Sequence, residues 1–194
     1  MAQTIATASQ RRTPSSLLGM VIFITSEFMF FGALFGAYFT IRAQAGEWPS
    51  PGTPHIDAVR TAIFTVFLVS SSFTQHLGVL AIRRGDRDGL VRWTAITIAL
   101  GVVFLAGQAI EYAQLFGEGF TIGSNIFGTL FFTMTGFHGL HVAGGLLMLA
   151  IVGAKGRMGH FSADRHGPAE AVGYYWHFVD VVWIFLFLVL YILV

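Results

Sequence analysis

The chain has 194 residues, of which 55% are hydrophobic and only 11% are charged, and its formal net charge is +1. A soluble domain carries about 25% charged residues, so this composition excludes an ordinary water-soluble globular protein and favours an integral membrane protein. The sequence contains no cysteine, which excludes disulfides, iron–sulfur clusters and thiolate metal sites.

Five apolar windows are long enough to cross a membrane as helices, which need roughly 20 residues each. The windows are continuous rather than alternating in hydrophobicity, which argues against the strands of a barrel. We therefore predict an all-α membrane protein, a single transmembrane domain folded as a bundle of five helices. The predicted spans cover about residues 16–41, 58–82, 93–112, 126–152 and 171–194.

The segments between the spans carry turn signals. Residues 47–54, EWPSPGTP, cannot continue a helix, and Asp57 is a candidate N-cap for the second span. Residues 116–125 form a short glycine-rich turn, and Pro168 suits the first turn of the last helix. Because these loops are short, we expect sequential helices to be antiparallel neighbours.

The distribution of Lys and Arg predicts the orientation of the bundle. Most of them flank one side of the spans, which places the N-terminus in the cytoplasm, or matrix, and the C-terminus outside. Residues 11–13, RRT, are better explained as a positive flank of an uncleaved first helix than as a twin-arginine export signal. The cytoplasmic set is Arg11, Arg12, Arg83, Arg84, Arg87, Arg92, Lys155, Arg157 and Arg165, and the outer set is Arg42 and Arg60.

Ionisable side chains inside the spans are costly, so each is a functional hypothesis. Glu27 lies near the middle of the first span, and His138 and His141 lie on one face of the fourth. His177 and Asp180 have the same three-residue spacing in the fifth span. All five are predicted at middle depth in the membrane.

These five residues allow several interpretations. They could form a carboxylate–histidine metal site, or the paired histidines could ligate haem. They could instead form an interhelical network in which an Asp accepts a hydrogen bond from a His or Trp. Glu27 could exchange protons or remain a neutral acid bonded to a neighbouring helix. A small transporter is a third hypothesis, although the sequence lacks paired interrupted spans.

A second set of polar and aromatic residues is expected to connect helices rather than form a site. Within it, Glu111 lies near the outer end of the third span, where interfacial water should make its charge tolerable. Gly139 and Ala143 are expected where the fourth helix meets a neighbour, and Tyr191 is expected in an interfacial aromatic belt. The set comprises Gln75, His76, Gln108, Glu111, Tyr112, Trp176 and Trp183.

Four stretches resemble subunit III of the haem–copper terminal oxidases, and the similarity runs from about Leu18 to the C-terminus. They occur in the order that the family has, and the last two are long and chemically unusual. The stretches are SEFMFFG (26–32), GQAIEY (107–112), TGFHGLHVAGG (135–145) and YYWHFVDVVWIFLF (174–187).

The resemblance implies an accessory subunit of a respiratory oxidase that reduces O2 to water and pumps protons. Such a subunit carries no catalytic residue and binds no metal, while the haems and copper belong to subunits I and II, its expected partners. It binds phospholipid and supports assembly, proton uptake and durability of the active site. Glu27 matches the family's carbodiimide-reactive glutamate, and His138 and His141 match a structural and lipid-cleft motif. No nucleic-acid partner is expected.

Long members of the family have seven spans, whereas five are predicted here, as in bacterial cytochrome c oxidases and bo-type quinol oxidases. The lipid cleft of the long form should therefore be open or walled by another subunit. A bacterial plasma membrane is expected, with the mitochondrial inner membrane as the alternative. A quinol oxidase subunit, a nitric oxide reductase accessory subunit and a stand-alone metalloenzyme remain alternative functions.

Overall fold

A computed structural model describes residues 15–194, so Arg11 and Arg12 lie outside the described residues. Within the described part, five helices are long and apolar enough to cross a membrane, which confirms the predicted spans. Apart from one isolated bridge between Ser162 and Arg165, all regular secondary structure in the described part is helical. The helices are α1 (Ser15–Gln44), α2 (Ala58–Arg83), α3 (Arg87–Gly117), α4 (Ile126–Arg157) and α5 (Gly167–Phe187), and a π-helical turn, Leu188–Ile192, ends the last span.

Polar caps decide where two of the helices begin. Asp57 accepts a hydrogen bond from the Arg60 N–H at 3.0 Å, which confirms the predicted cap. α3 begins six residues before the predicted start, where Asp86 accepts from the Gly89 N–H at 2.7 Å. Pro168 lies in the first turn of α5, as predicted.

Sequential packing holds for α2 to α5 but not for α1. α1 packs mainly on α5 and touches α4, so the expectation that α1 and α2 are neighbours is wrong. The connection over residues 45–57 is long enough to cross the end of the bundle. The Tyr38 hydroxyl donates to the Val189 carbonyl at 3.1 Å, and Arg42 donates to the Leu193 carbonyl at 2.5 Å, which ties α1 to the end of the last span.

The core forms around α5, where glycines of neighbouring helices make room for tryptophans. A Cβ at Gly145 would lie 2.8 Å from the Trp176 ring. Gly139 faces a neighbouring helix as predicted. That helix is α3, because a Cβ on Gly139 would lie 3.1 Å from Gln108 Oε1. Ala143 is exposed, so its predicted contact is wrong. Within about two helical turns after Gly139, the small residue of α4 that packs against another helix is Gly145 rather than Ala143.

Candidate functional site

The five ionisable candidates occupy three separate places. Glu27 meets His141 between α1 and α4, His177 and Asp180 face α2, and His138 lies in the core. The metalloenzyme interpretation requires them in one group. Within residues 15–194, no three His, Asp or Glu side chains come together as a group that could hold a metal ion. The structure therefore does not fit the single site.

Glu27 and His141 form a hydrogen-bonded pair between α1 and α4. His141 Nε2 lies 2.9 Å from Glu27 Oε2, and His141 Nδ1 lies 2.7 Å from the Phe137 carbonyl oxygen. Because a carbonyl oxygen only accepts, Nδ1 carries a hydrogen. The Nε2–Oε2 contact then holds one proton, either on the imidazole as an ion pair or on the carboxyl as a neutral pair.

A serine mediates between the histidine and the aspartate of α5. The Ser72 hydroxyl donates to Asp180 Oδ2 and lies 2.9 Å from His177 Nδ1. The prediction that Asp180 pairs directly with a His or Trp is therefore wrong. His177 and Asp180 lie on the same side of α5 and both face α2, and the Ser72 side chain of α2 lies between them. Asp180 is 4% exposed, and its Oδ1 has no hydrogen-bond partner among the described residues.

A cleft with several titratable side chains in its walls leads towards this group from one end of the bundle. A cavity of about 230 Å³ lies between α2 and α5, and His76, Arg83, Glu170 and His177 contribute to its walls. Arg83 Nε lies 2.6 Å from Glu170 Oε1 at the end of the cleft, and the His76 and His177 ring centroids are 6.4 Å apart. Titratable groups thus extend from the bundle surface to within one helical turn of Asp180.

His138 differs from His141 although the two are three residues apart. It is completely buried and stacks on Trp183 with ring centroids 4.9 Å apart. Neither ring nitrogen has a hydrogen-bond partner among the described residues. The two histidines differ by about 60° around α4, which is enough to put one in the core and the other against α1. His138 is therefore packed as a core side chain, and its surroundings are not those of a metal or haem ligand.

Glu111 is buried, contrary to the expectation of interfacial water. It is 3% exposed, and it accepts hydrogen bonds from Tyr191 at 2.7 Å and from Thr61 at 3.1 Å. The end of the last span places Tyr191 over the carboxyl. Tyr191 is therefore buried as well, and its predicted position in the aromatic belt is wrong.

Hydroxyl residues connect the tryptophans and polar residues of the second set. The Trp176 indole N–H donates to Ser71 at 2.8 Å, and that of Trp183 donates to Thr65 at 2.9 Å. Gln75 lies buried beside them, with neither amide atom bonded within the described residues.

On the opposite side of the bundle, α3 bonds to α4 through one threonine. Gln108 Nε2 donates to the Thr135 carbonyl at 2.8 Å, and the Tyr112 and Thr135 hydroxyls are 2.6 Å apart. The sequence interpretation missed Thr61, Thr65 and Thr135. The available signal was a hydroxyl residue within an apolar run, because such a residue can accept from an indole or phenol in a neighbouring helix.

Comparison with known proteins agrees with this architecture. A family model described as cytochrome c oxidase subunit III matches residues 9–194. A probable cytochrome c oxidase subunit 3 of Mycobacterium tuberculosis is 45% identical over 175 residues, which cover 90% of this chain and 86% of the relative. The cytochrome c oxidase subunit 3 of Thermostichus vulcanus is 44% identical over 178 residues, 91% of this chain and 87% of the relative.

The likeness extends over almost the full length of another bacterial relative. The cytochrome c oxidase subunit 3 of Corynebacterium diphtheriae is 42% identical over 194 residues, which cover 98% of this chain and 94% of the relative. These relatives are subunits of a respiratory oxidase complex, and the five helices described above suit a bacterial membrane protein. Because the family model matches nearly every residue, this chain belongs to the cytochrome c oxidase subunit III family of the haem–copper oxidases.

Proposed function

We propose that this chain is the accessory, non-redox subunit III of a proton-pumping bacterial oxidase that takes electrons from cytochrome c and reduces O2 to water. The observation that carries the proposal is the family match over residues 9–194. The separation of the five candidate ligands supports assigning haem and copper to subunits I and II. The chain contributes to the complex by packing against those subunits, which aids assembly.

A role in lipid binding is supported by the weakly covered surface of α1. A groove of about 230 Å³ between α1 and α5 has almost entirely apolar walls, which include Phe28, Phe35, Phe178 and Phe185. Phe28 is 70% exposed and directly follows Glu27. We assign this groove to a phospholipid acyl chain, with a partner subunit on its open side.

A role in proton uptake is supported by the two hydrogen-bonded groups. The Glu27–His141 contact holds a proton that can reside on either partner. The Ser72–His177–Asp180 group meets the cleft between α2 and α5 through His177. Both groups contain side chains that can bind a proton, and neither requires a redox cofactor in this chain.

The proposed orientation places the N-terminus and the α2–α3 and α4–α5 loops in the cytoplasm of a bacterial plasma membrane, with the whole chain as one domain. The excess of Lys and Arg in these segments supports it. A cysteine at Ser162, introduced as Ser162→Cys, should react with an impermeant reagent only from the cytoplasmic side. Labelling from outside would reverse the orientation.

Purification in a mild detergent tests the function. We expect haem and copper to copurify with this chain and the other oxidase subunits, and to be absent from the chain once it is separated. The intact complex should oxidise reduced cytochrome c. Haem or copper that stays with the separated chain would contradict the non-redox assignment, and oxidation of quinol alone would contradict the proposed electron donor.

A further inference from the structure

A second groove lies between α3 and α4, and it shares no lining residue with the groove between α1 and α5. Its volume is about 240 Å³. Small and apolar side chains form its walls, including Ala95 and Ile98 from α3 and Ala150 and Ala154 from α4. The groove exists because these residues are small, and a Cβ at Gly153 in the wall would meet only the Thr94 methyl, at 3.6 Å.

Two arginines flank one end of this groove. Arg157 lines it from α4, and Arg87 lies one helical turn before Val91, which lines it from α3. A guanidinium nitrogen of Arg87 lies 3.5 Å from the position that a Cβ on Gly159 would take, so its side chain reaches across to the end of α4. The two cations therefore stand on opposite helices at the same end of the groove.

No carboxylate pairs with either arginine in the part of the chain that the structure describes. The ion pairs within residues 15–194 involve Arg83, His141 and His166 as the basic partners. The nearby Asp86 carboxylate is occupied as the N-cap of α3, and Asp88 is exposed beside it. The positive charge at the end of the groove is available to an anion from outside the chain.

We propose that the α3–α4 groove binds one anionic phospholipid, with its phosphate between Arg87 and Arg157 and one acyl chain along the apolar walls. Guanidinium groups bind phosphate oxygens through paired hydrogen bonds, and basic pockets between membrane helices on the cytoplasmic side bind anionic headgroups. A single phospholipid supplies both the anion for the arginines and the apolar chain for the groove, whereas a partner helix would need an acidic residue placed between the two arginines. The arrangement of charge above an apolar groove fits a lipid.

The headgroup part of the proposal is tested on the purified oxidase with all its subunits. After delipidation, native mass spectrometry should count bound dioleoyl phosphatidylglycerol and dioleoyl phosphatidylcholine during parallel titrations. We expect saturable binding of one phosphatidylglycerol that phosphatidylcholine does not replace. Arg87→Gln and Arg157→Gln should each weaken it about fivefold. The matched control Arg165→Gln removes the same charge from the same side, but this residue does not line the α3–α4 groove, and binding should be unchanged.

The apolar part of the proposal needs a variant that leaves the charge intact. Gly153→Leu fills the groove and should abolish phosphatidylglycerol binding, while inorganic phosphate at the same concentration should not compete with the lipid. If Gly153→Leu fails to assemble, the two arginine variants and their control still decide the question.

Four results would overturn the proposal. They are equal loss of binding in Arg157→Gln and Arg165→Gln, equal binding of both lipids, full binding in an assembled Gly153→Leu oxidase, and competition by inorganic phosphate. A photo-crosslinker at Ala150 should capture lipid in the native membrane. Capture of a partner subunit instead would identify a protein occupant and would also overturn the proposal.

Discussion

The first and the last transmembrane helices have nearly the same hydropathy but opposite positions in the fold. The most apolar windows of α1 and α5 have mean hydropathies of 2.0 and 1.9, yet 6% of the first window and 56% of the second are buried within the subunit. Hydropathy therefore accounts for insertion into the membrane, but not for which helix becomes the centre of the bundle. In lipid, close packing and interhelical hydrogen bonds decide that position.

The two helices differ in the bonds that their side chains make. α5 bonds to two other helices. Trp176, Trp183 and Asp180 bond to α2, and the Tyr175 hydroxyl donates to the His141 carbonyl of α4 at 3.0 Å. In the middle of the membrane, the described residues of α1 make one side-chain hydrogen bond to another helix, that of Glu27 with His141 of α4. We expect substitutions in α5 to disturb folding and those in α1 to act mainly on what lies outside the subunit.

Loss of a core tryptophan should have the largest effect. Trp176 is completely buried and donates to Ser71, so Trp176→Ala leaves a cavity and an unused hydrogen-bond acceptor. We expect a loss of about 3–5 kcal/mol in stability, and with it failure of the oxidase to assemble. The control is Phe28→Ala, at a residue of α1 that is 70% exposed. It should change the free energy of unfolding by no more than about 0.5 kcal/mol. Thermal unfolding in detergent compares the stabilities of the two variants. Equal losses of stability would contradict the expected difference between α1 and α5.

Filling the contact between α4 and α5 should have the next largest effect. Gly145→Leu drives a side chain into the Trp176 ring, at a cost of about 1–3 kcal/mol from overpacking. Gly36→Leu is the matched variant in α1, because a Cβ there meets nothing within 4 Å. Limited proteolysis of the membrane-inserted chain should show a loosened fold for Gly145→Leu and a native pattern for Gly36→Leu. A native pattern for both would mean that α4 and α5 can move apart at Gly145 without loosening the fold.

Removal of the α5 carboxyl should have an intermediate effect. Asp180→Ala leaves the Ser72 hydroxyl without its acceptor, which costs about 1–3 kcal/mol and should weaken attachment of the subunit to the oxidase. Asp180→Asn keeps an acceptor and should remain attached more firmly. The fraction of subunit retained after a detergent wash measures this. Retention of Asp180→Ala at the wild-type level would show that the carboxyl has no structural part.

The smallest effect on the fold is expected at Glu27. Glu27→Gln keeps the size of the side chain and its contact with His141 but cannot release a proton. Stability should change by no more than about 0.5 kcal/mol, with haem and copper content unaltered. Proton uptake should change, or activity should decline faster during sustained turnover. Loss of a haem or copper signal in a complex that contains every subunit would contradict the non-redox role.

Sequence alone determined the features that depend on local physics. A span is predicted by the length of an apolar run, and the N-cap Asp57 by the side-chain oxygen that a helix start requires. The cost of a charge in hydrocarbon likewise singled out Glu27, His177 and Asp180 before any contact was known. The motifs in the four recognisable stretches were enough to indicate the family.

Tertiary structure alone decided which of these residues meet. Helical periodicity fixes the face of a helix on which a residue lies, but its partner depends on the crossing angle and axial register of two helices. For this reason the structure alone placed Ser72 between His177 and Asp180, covered Glu111 with Tyr191 and separated His138 from His141. It also showed that α1 packs against α5 rather than α2, because interhelical bonds and packing outweigh order along the chain.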